Sequence, residues 1–253
     1  MSHDTINSLR LRRLLYTQGM SADLALPAHL DVMGQAQRLA RPVTFLRPSG
    51  EGAPVALWGG TPSVPLPPEL VVTDEDDLED GAFFDHWLSI DARRLPVPLP
   101  GCLSLYEQSV EPLLLHNPEA TLDMSGGTPL YAHPGIELPH INALFRSGTP
   151  ALQAWMAELL GETPAALLAR SDIGAYRHPT LDGLDQRLRS AHPLWAGGVT
   201  AQLGGWAWGW PDEAWDTRES RGERLLLTTF ERSEPWIEVW WTERGLAGVA
   251  HLT

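Results

Sequence analysis

The nine histidines are the first residues to test for chemistry. None falls in a His-Glu-x-x-His spacing. The chain also lacks the Gly-x-Ser-x-Gly nucleophile turn and a Gly-x-Gly-x-x-Gly leading into a helix. His133 and His140 flank Pro134-Gly135-Ile136-Glu137-Leu138-Pro139. With Glu137 they could form a metal or acid–base site; the competing reading is two ordinary loop histidines, which need no special role near neutral pH. The run Asp74, Glu75, Asp76, Asp77, Leu78, Glu79, Asp80 carries carboxylates enough for a divalent cation. It has no central glycine and no terminal glutamate of an EF-hand loop, so it reads as a solvated charge run. Its most direct role would be to steer a basic partner. The single cysteine, Cys102, excludes an intrachain disulfide and a cysteine-based zinc site, and its place in a strand makes it a small buried hydrophobe. The chain contains no lysine, which removes a phosphate-loop lysine, a Schiff-base lysine and a lysine general base. No catalytic residue, cofactor or metal is therefore expected, and the chain reads as a binding protein and not an enzyme.

Tryptophan is the second chemical resource. Seven of the eleven fall between Trp206 and Trp241. In an extended segment Trp206, Trp208 and Trp210 point one way. On the final long strand Trp236 and Trp240 share a face with Glu238, while Ile237, Val239 and Trp241 take the other. The second face is expected to be core. The first sets two large aromatics beside a charge, a combination enriched at protein interfaces, although a stacked aromatic core strip is the competing reading. Trp208, Trp210, Trp236 and Trp240 join the six acidic residues of the 74–80 run as candidate partner-binding residues.

These residues need elements to position them. Apolar spacing predicts helices over 6–20 and 27–38, then from Thr149-Pro150 to Gly161, from Thr163-Pro164 to Arg170, and over 180–190. Strands are expected at 42–46, 54–58, 86–91, 102–107, 112–116, 225–232, 236–241 and 248–252. Runs of strands on either side of a helical insert indicate an α+β fold with antiparallel sheets. A punctuation pattern occurs twice. Trp58-Gly59-Gly60-Thr61-Pro62 leads through an acidic loop to two strands. Leu203-Gly204-Gly205-Trp206 leads through Trp210-Pro211 and an arginine-and-acid loop to two more. Paired glycines suit a sharp turn with positive φ or a close backbone approach. The repetition predicts an internal duplication, with halves near 41–131 and 196–253, a helical insert at 149–190, and a cleft between two half-sheets. All of it is expected in one domain, because no long Gly/Ser linker separates the copies.

The order Gly-Gly-x-Pro, strand, Leu99-Pro100-Gly101 turn, aromatic-ended strand, then Leu-Gly-Gly before the Leu225-Leu226-Leu227 strand resembles the YwqG-like family of bacterial proteins. The resemblance runs from about Trp58 to Trp241. Trp206–Trp210 and Ser233-Glu234-Pro235 depart from the family pattern, as in a divergent member. Some members are thought to be immunity proteins encoded beside secreted antibacterial toxins, so the resemblance implies an antitoxin that binds a toxin.

Composition agrees with a large folded domain. The chain has 253 residues, 43% of them hydrophobic, enough to bury a full core. Thirty-two acids oppose 18 basic residues, for a formal charge of −14. That balance argues against a nucleic-acid binder, which must gather positive charge against phosphate, and is compatible with a basic protein partner such as a nuclease toxin. No apolar run reaches the length of a membrane span, and Met1-Ser2-His3-Asp4 lacks the basic-then-apolar order of a secretory signal, so the cytoplasm is expected. The alternative is an enzyme or small-ligand binder using the cleft between half-sheets.

Overall fold

The computed structural model describes residues 26–70, 84–107, 112–170, 172–192, 198–207, 215–231 and 234–250. The 6–20 helix lies outside them. The chain divides into two compact units: residues 1–39 with 139–191, and residues 40–138 with 192–253. The fold is mixed, with helices and an antiparallel sheet, as the segment pattern predicts.

The second unit holds every described strand in one ten-stranded sheet. At its centre β1 (Arg41–Arg47) pairs antiparallel with β6 (Thr128–Glu137), from Arg41–Glu137 to Arg47–Tyr131. Outward from β6 run β2 (Ala56–Trp58), β3 (Asp85–Asp91), β4 (Cys102–Glu107) and β5 (Leu113–Asn117). Outward from β1 run β7 (Ala201–Gly204), β8 (Arg224–Glu231), β9 (Glu234–Thr242) and β10 (Gly245–Ala250). The two edge strands approach each other: a Cβ on Gly248 of β10 would lie 2.6 Å from Pro112 Cγ, at the start of β5. The sheet is thus nearly closed into a barrel, which protects the edges from further pairing. The expected cleft between half-sheets is absent along the join, because β1 of the first half and β7 of the second are hydrogen-bonded neighbours.

Period-2 alternation explains the core. Leu46, Ala56, Leu88, Ile90, Leu103, Leu105, Leu130, Leu203, Leu227, Ile237 and Val239 form one buried apolar cluster on a single face of the sheet. Strand β6 is the one least expected from sequence, since Pro129, Pro134 and Gly135 read as turn residues. It persists because β2 covers only Thr128–Leu130 of its second side, so the missing N–H of Pro134 interrupts no ladder there.

The first unit contains the described helices α1 (Val32–Arg38), α2 (Ile141–Ser147), α3 (Pro150–Leu159), α4 (Pro164–Leu168) and α5 (Pro179–Ser190). Thr149 and Thr163 cap α3 and α4 by accepting from Leu152 N and Ala166 N, with proline in the first turn of each. The expected 27–38 helix is broken: Asp31 takes a left-handed conformation (φ 43°) between a short 3₁₀ turn and α1. Gln35, buried in α1, donates to Leu30 O (2.8 Å) and accepts from Thr149 N (2.9 Å), tying α1 to the start of α3.

Candidate functional site

Both Gly-Gly pairs end a strand, and all four glycines have positive φ: 65° and 73° at Gly59 and Gly60, 69° and 83° at Gly204 and Gly205. Each turn sends the following residues back over the face of the sheet opposite the main core. There each roofs a row of buried, largely polar residues running across neighbouring strands. In the β2–β4 region the row is Leu57–Ser89–Ser104; in the β7–β9 region it is Gln202–Thr228–Glu238. Leu57 and Gln202 each stand two residues before their glycine pair.

The first row is a satisfied hydrogen-bond chain whose direction follows from its ends. His86 Nδ1 lies 2.9 Å from the Gly60 carbonyl, which only accepts, so Nδ1 carries the proton and Nε2 accepts from the Ser89 hydroxyl at 2.9 Å. Ser104 Oγ then donates to Ser89 Oγ (2.8 Å). Ser63 N and Val64 N donate to the two serines at 3.0 Å each, and the Tyr106 hydroxyl donates to Val64 O (2.6 Å). Burial holds the His86 pKa below its usual value, against opposing backbone hydrogen bonds. This is a serine–histidine contact, yet Ser89 has no exposed surface, so no substrate reaches its oxygen.

The second row is more polar. Glu137, 2% exposed, accepts through Oε2 from Trp206 N (2.7 Å) and from Gln202 Nε2 (3.1 Å). Gln202 Oε1 accepts from His192 Nε2 (2.9 Å), which also lies 3.6 Å from Glu137 Oε1. The imidazole packs edge-on against Phe45, with ring centroids 5.1 Å apart. Glu137 explains Gly205: a Cβ there would sit 2.1 Å from the carboxylate oxygen. The Gly-Gly turn therefore lets backbone and carboxyl group meet, and the Trp206 amide supplies a hydrogen bond that a buried polar group requires. Arg41 completes the clamp, its guanidinium 3.5 Å from the Trp206 ring and paired with Glu219 through two contacts, one of them 2.8 Å. The Glu137–His192 pairing was not legible in sequence. His192 is remote from residue 137 and carries no motif.

The His133–Glu137–His140 grouping does not form. His133 Nε2 lies 2.7 Å from Ser49 O, His140 caps α2 by accepting from Ala143 N, and Glu137 turns to Gln202 and Trp206. Among the described residues no three metal-ligating side chains converge.

Of the candidate partner-binding residues, Asp74, Glu75, Asp76, Asp77, Glu79, Asp80, Trp208 and Trp210 lie outside the described residues. Trp236 stands on β9, and its side chain lies outside them too. Trp240 is a correction: it is 1% exposed, packed with Ala207 and Leu225, and its Nε1 donates to Glu238 Oε2 (3.2 Å). Both faces of β9 are covered at this point, because residues after the second glycine turn close over the face that carries Trp240. Arg218 on α6 (Trp215–Ser220) also lies over the ring, at 5.3 Å.

A surface groove accompanies these rows, a space of about 730 Å³ lined by β1, β6, β7, β8, the loop after β3, and α6 with the segment after it.

The buried histidine makes a testable pH dependence. Burial pushes the His192 pKa from 6.5 down to about 4; the bond to Gln202 opposes this and the Arg47 charge reinforces it. Below pH 6.5 the unfolded chain takes up a proton that the folded chain refuses. The stabilisation is complete above that pH and is lost as pH falls toward about 4, by roughly 3 kcal/mol at most. Urea midpoints measured across this window should fall steeply in the wild type and less steeply in His192→Gln; parallel slopes would remove His192 as the cause.

Among the described residues, no helix is long and apolar enough to cross a membrane. The sequence matches no protein-family model, and no curated protein and no solved structure is significantly similar to it, so the likeness to the YwqG-like family rests on the motifs themselves.

Proposed function

We propose that this chain is a cytoplasmic immunity protein that binds a basic protein toxin, such as a nuclease effector, and covers its active surface. The observation that carries a binding role is the closure of both polar rows. The Ser89–His86 and Glu137–Gln202–His192 contacts, which on an open surface would be candidates for acid–base work, are roofed by the chain's own glycine turns. They act as latches that hold those turns. The net charge of −14 supports a basic partner, because complementary fields raise association rates. The resemblance to the YwqG-like family supplies the antitoxin role.

The internal duplication belongs to the same reading. The strands β2–β5 and β7–β10 flank the central β1–β6 pair, the first strand of each set ends in a positive-φ glycine pair, and each set carries a buried row at the same offset from that pair. Two copies of one ancestral unit account for this arrangement.

The test is co-expression with a toxin encoded beside the gene, followed by mixing of the purified proteins. Protection and a stoichiometric complex are expected. Neutralising Asp74, Glu75, Asp76, Asp77, Glu79 and Asp80 to Asn and Gln should slow association more than it speeds dissociation. The difference should shrink at high salt, where exposed charges are screened beyond about 10 Å at 0.1 M ionic strength. Changes at Trp208, Trp210 or Trp236 should instead raise the dissociation rate. No protection and no complex would overturn the immunity reading.

A further inference from the structure

Among the described residues, the groove brings three arginines of this acidic chain to one concavity. Its lining carries Arg41, Arg94 and Arg224 against Glu219 and Glu223. Both glutamates are already neutralised, Glu219 by Arg41 and Glu223 by Arg218 (2.9 Å) and Arg221 (3.1 Å). Arg94 lies 3.9 Å from Asp91, but Asp91 is held by Arg93 through contacts of 2.7 and 2.9 Å. Arg224 forms no ion pair among the described residues. Two exposed guanidinium groups thus line one concavity, Arg224 with no ion pair among the described residues and Arg94 with only the 3.9 Å approach to an Asp91 that Arg93 already holds.

The rest of the groove is apolar and approachable. Pro42, Pro96 and Pro134 stand exposed along it, offering rigid surface with no N–H to satisfy. Gly204 and Gly205 leave the backbone of the second glycine turn bare of side chains on its floor. A volume of about 730 Å³ lies within the range of small-molecule sites, roughly 300–1,000 Å³. Guanidinium forks match the planar or tetrahedral oxygens of carboxylate and phosphate.

We propose that this groove binds a small organic anion, with Arg94 and Arg224 holding its carboxylate or phosphate and the exposed prolines supporting its apolar body. This site is independent of the toxin-binding reading and survives if that reading fails.

Four probes share one ring and differ in charge: phenyl phosphate, benzoate, benzamide and benzamidine. Calorimetric titration, with amide shifts at Gly204 and Gly205 followed by NMR, should rank phenyl phosphate and benzoate above benzamide, with benzamidine silent. The ratio of the first two tells a phosphate site from a carboxylate site. Arg94→Gln and Arg224→Gln should each weaken binding about fivefold or more, and together abolish it. Arg244→Gln, an exposed change away from the lining, should leave it intact. All three side chains are exposed, so unchanged melting temperatures will show that the variants fold. Equal binding of benzamidine and benzoate, indifference to the Arg94 and Arg224 changes, or no binding of any probe up to about 10 mM would overturn the proposal.

Discussion

Replacing Glu137 with alanine is expected to destabilise the protein by about 2–5 kcal/mol, because it strands two buried donors, each costing about 1–3 kcal/mol when left without an acceptor. Trp206 N and Gln202 Nε2 both end on Glu137 Oε2, at 2.7 and 3.1 Å, and none of the three residues has more than 2% of its surface exposed. Glu137→Gln keeps the volume and one acceptor oxygen, so it should cost less, about 1–3 kcal/mol. The sharper expectation is a coupling. Gly205→Ala alone must push a Cβ to within 2.1 Å of the same oxygen, in addition to the strain of φ 83°. In the Glu137→Ala background the carboxylate is gone, leaving the backbone strain and a tight 3.0 Å approach to the end of the Gln202 side chain. The double variant should be less destabilised than the sum of the singles by about 1–3 kcal/mol. Urea unfolding of the four proteins checks this, and strict additivity would mean that the carboxylate is not what excludes a side chain at position 205.

The glycine pairs were legible because a left-handed backbone leaves a mark in residue type. Positive φ at Gly59, Gly60, Gly204 and Gly205 is what paired glycine predicts. The threonine–proline starts of α3 and α4 were legible for the same kind of reason, since capping oxygen and fixed φ are local properties. What each turn covers was not legible. Glu238 and Trp240 alternate with Ile237 and Val239 as on a half-solvated strand, and a partner-binding face was the natural reading. Burial of that face comes from residues more than thirty positions earlier, Trp206 and Ala207, which return only because the glycine turn aims them there. Period-2 patterning reports that one face differs from the other; it is silent on whether the polar face meets water or another segment carrying hydrogen-bond partners. The same blindness hid β6, whose Pro134 stands beyond the stretch that its short neighbour β2 pairs with. It hid α2 as well, where His140 replaces the usual Ser, Thr, Asp or Asn at the cap.

Gly60 and Gly59 should respond to substitution very differently, although they are adjacent and share a left-handed conformation. Gly59→Ala meets nothing within 4 Å, so its cost is the conformational strain alone, about 1–2 kcal/mol. Gly60→Ala places a Cβ 2.4 Å from Gly127 N and 2.7 Å from Gly126 C, and both obstacles are backbone, which no rotamer change can move aside. Gly126 and Gly127 lead into β6, so relief at Gly60 means displacing the start of a central strand or prising the turn off the Ser89–Ser104 row. Strain and overpacking together should cost about 2–5 kcal/mol, and Gly60→Val more, because a β-branched side chain tolerates the left-handed region least. The first row gives a local readout of which way the structure yields. If the turn lifts, the hydrogen bonds from Ser63 N and Val64 N to the two serines break, and those amides should exchange with solvent faster in Gly60→Ala while the Trp206 amide keeps its protection. Equal stability losses at the two glycines, with no change in Ser63 and Val64 exchange, would show that the close backbone approach at Gly60 does not constrain the fold.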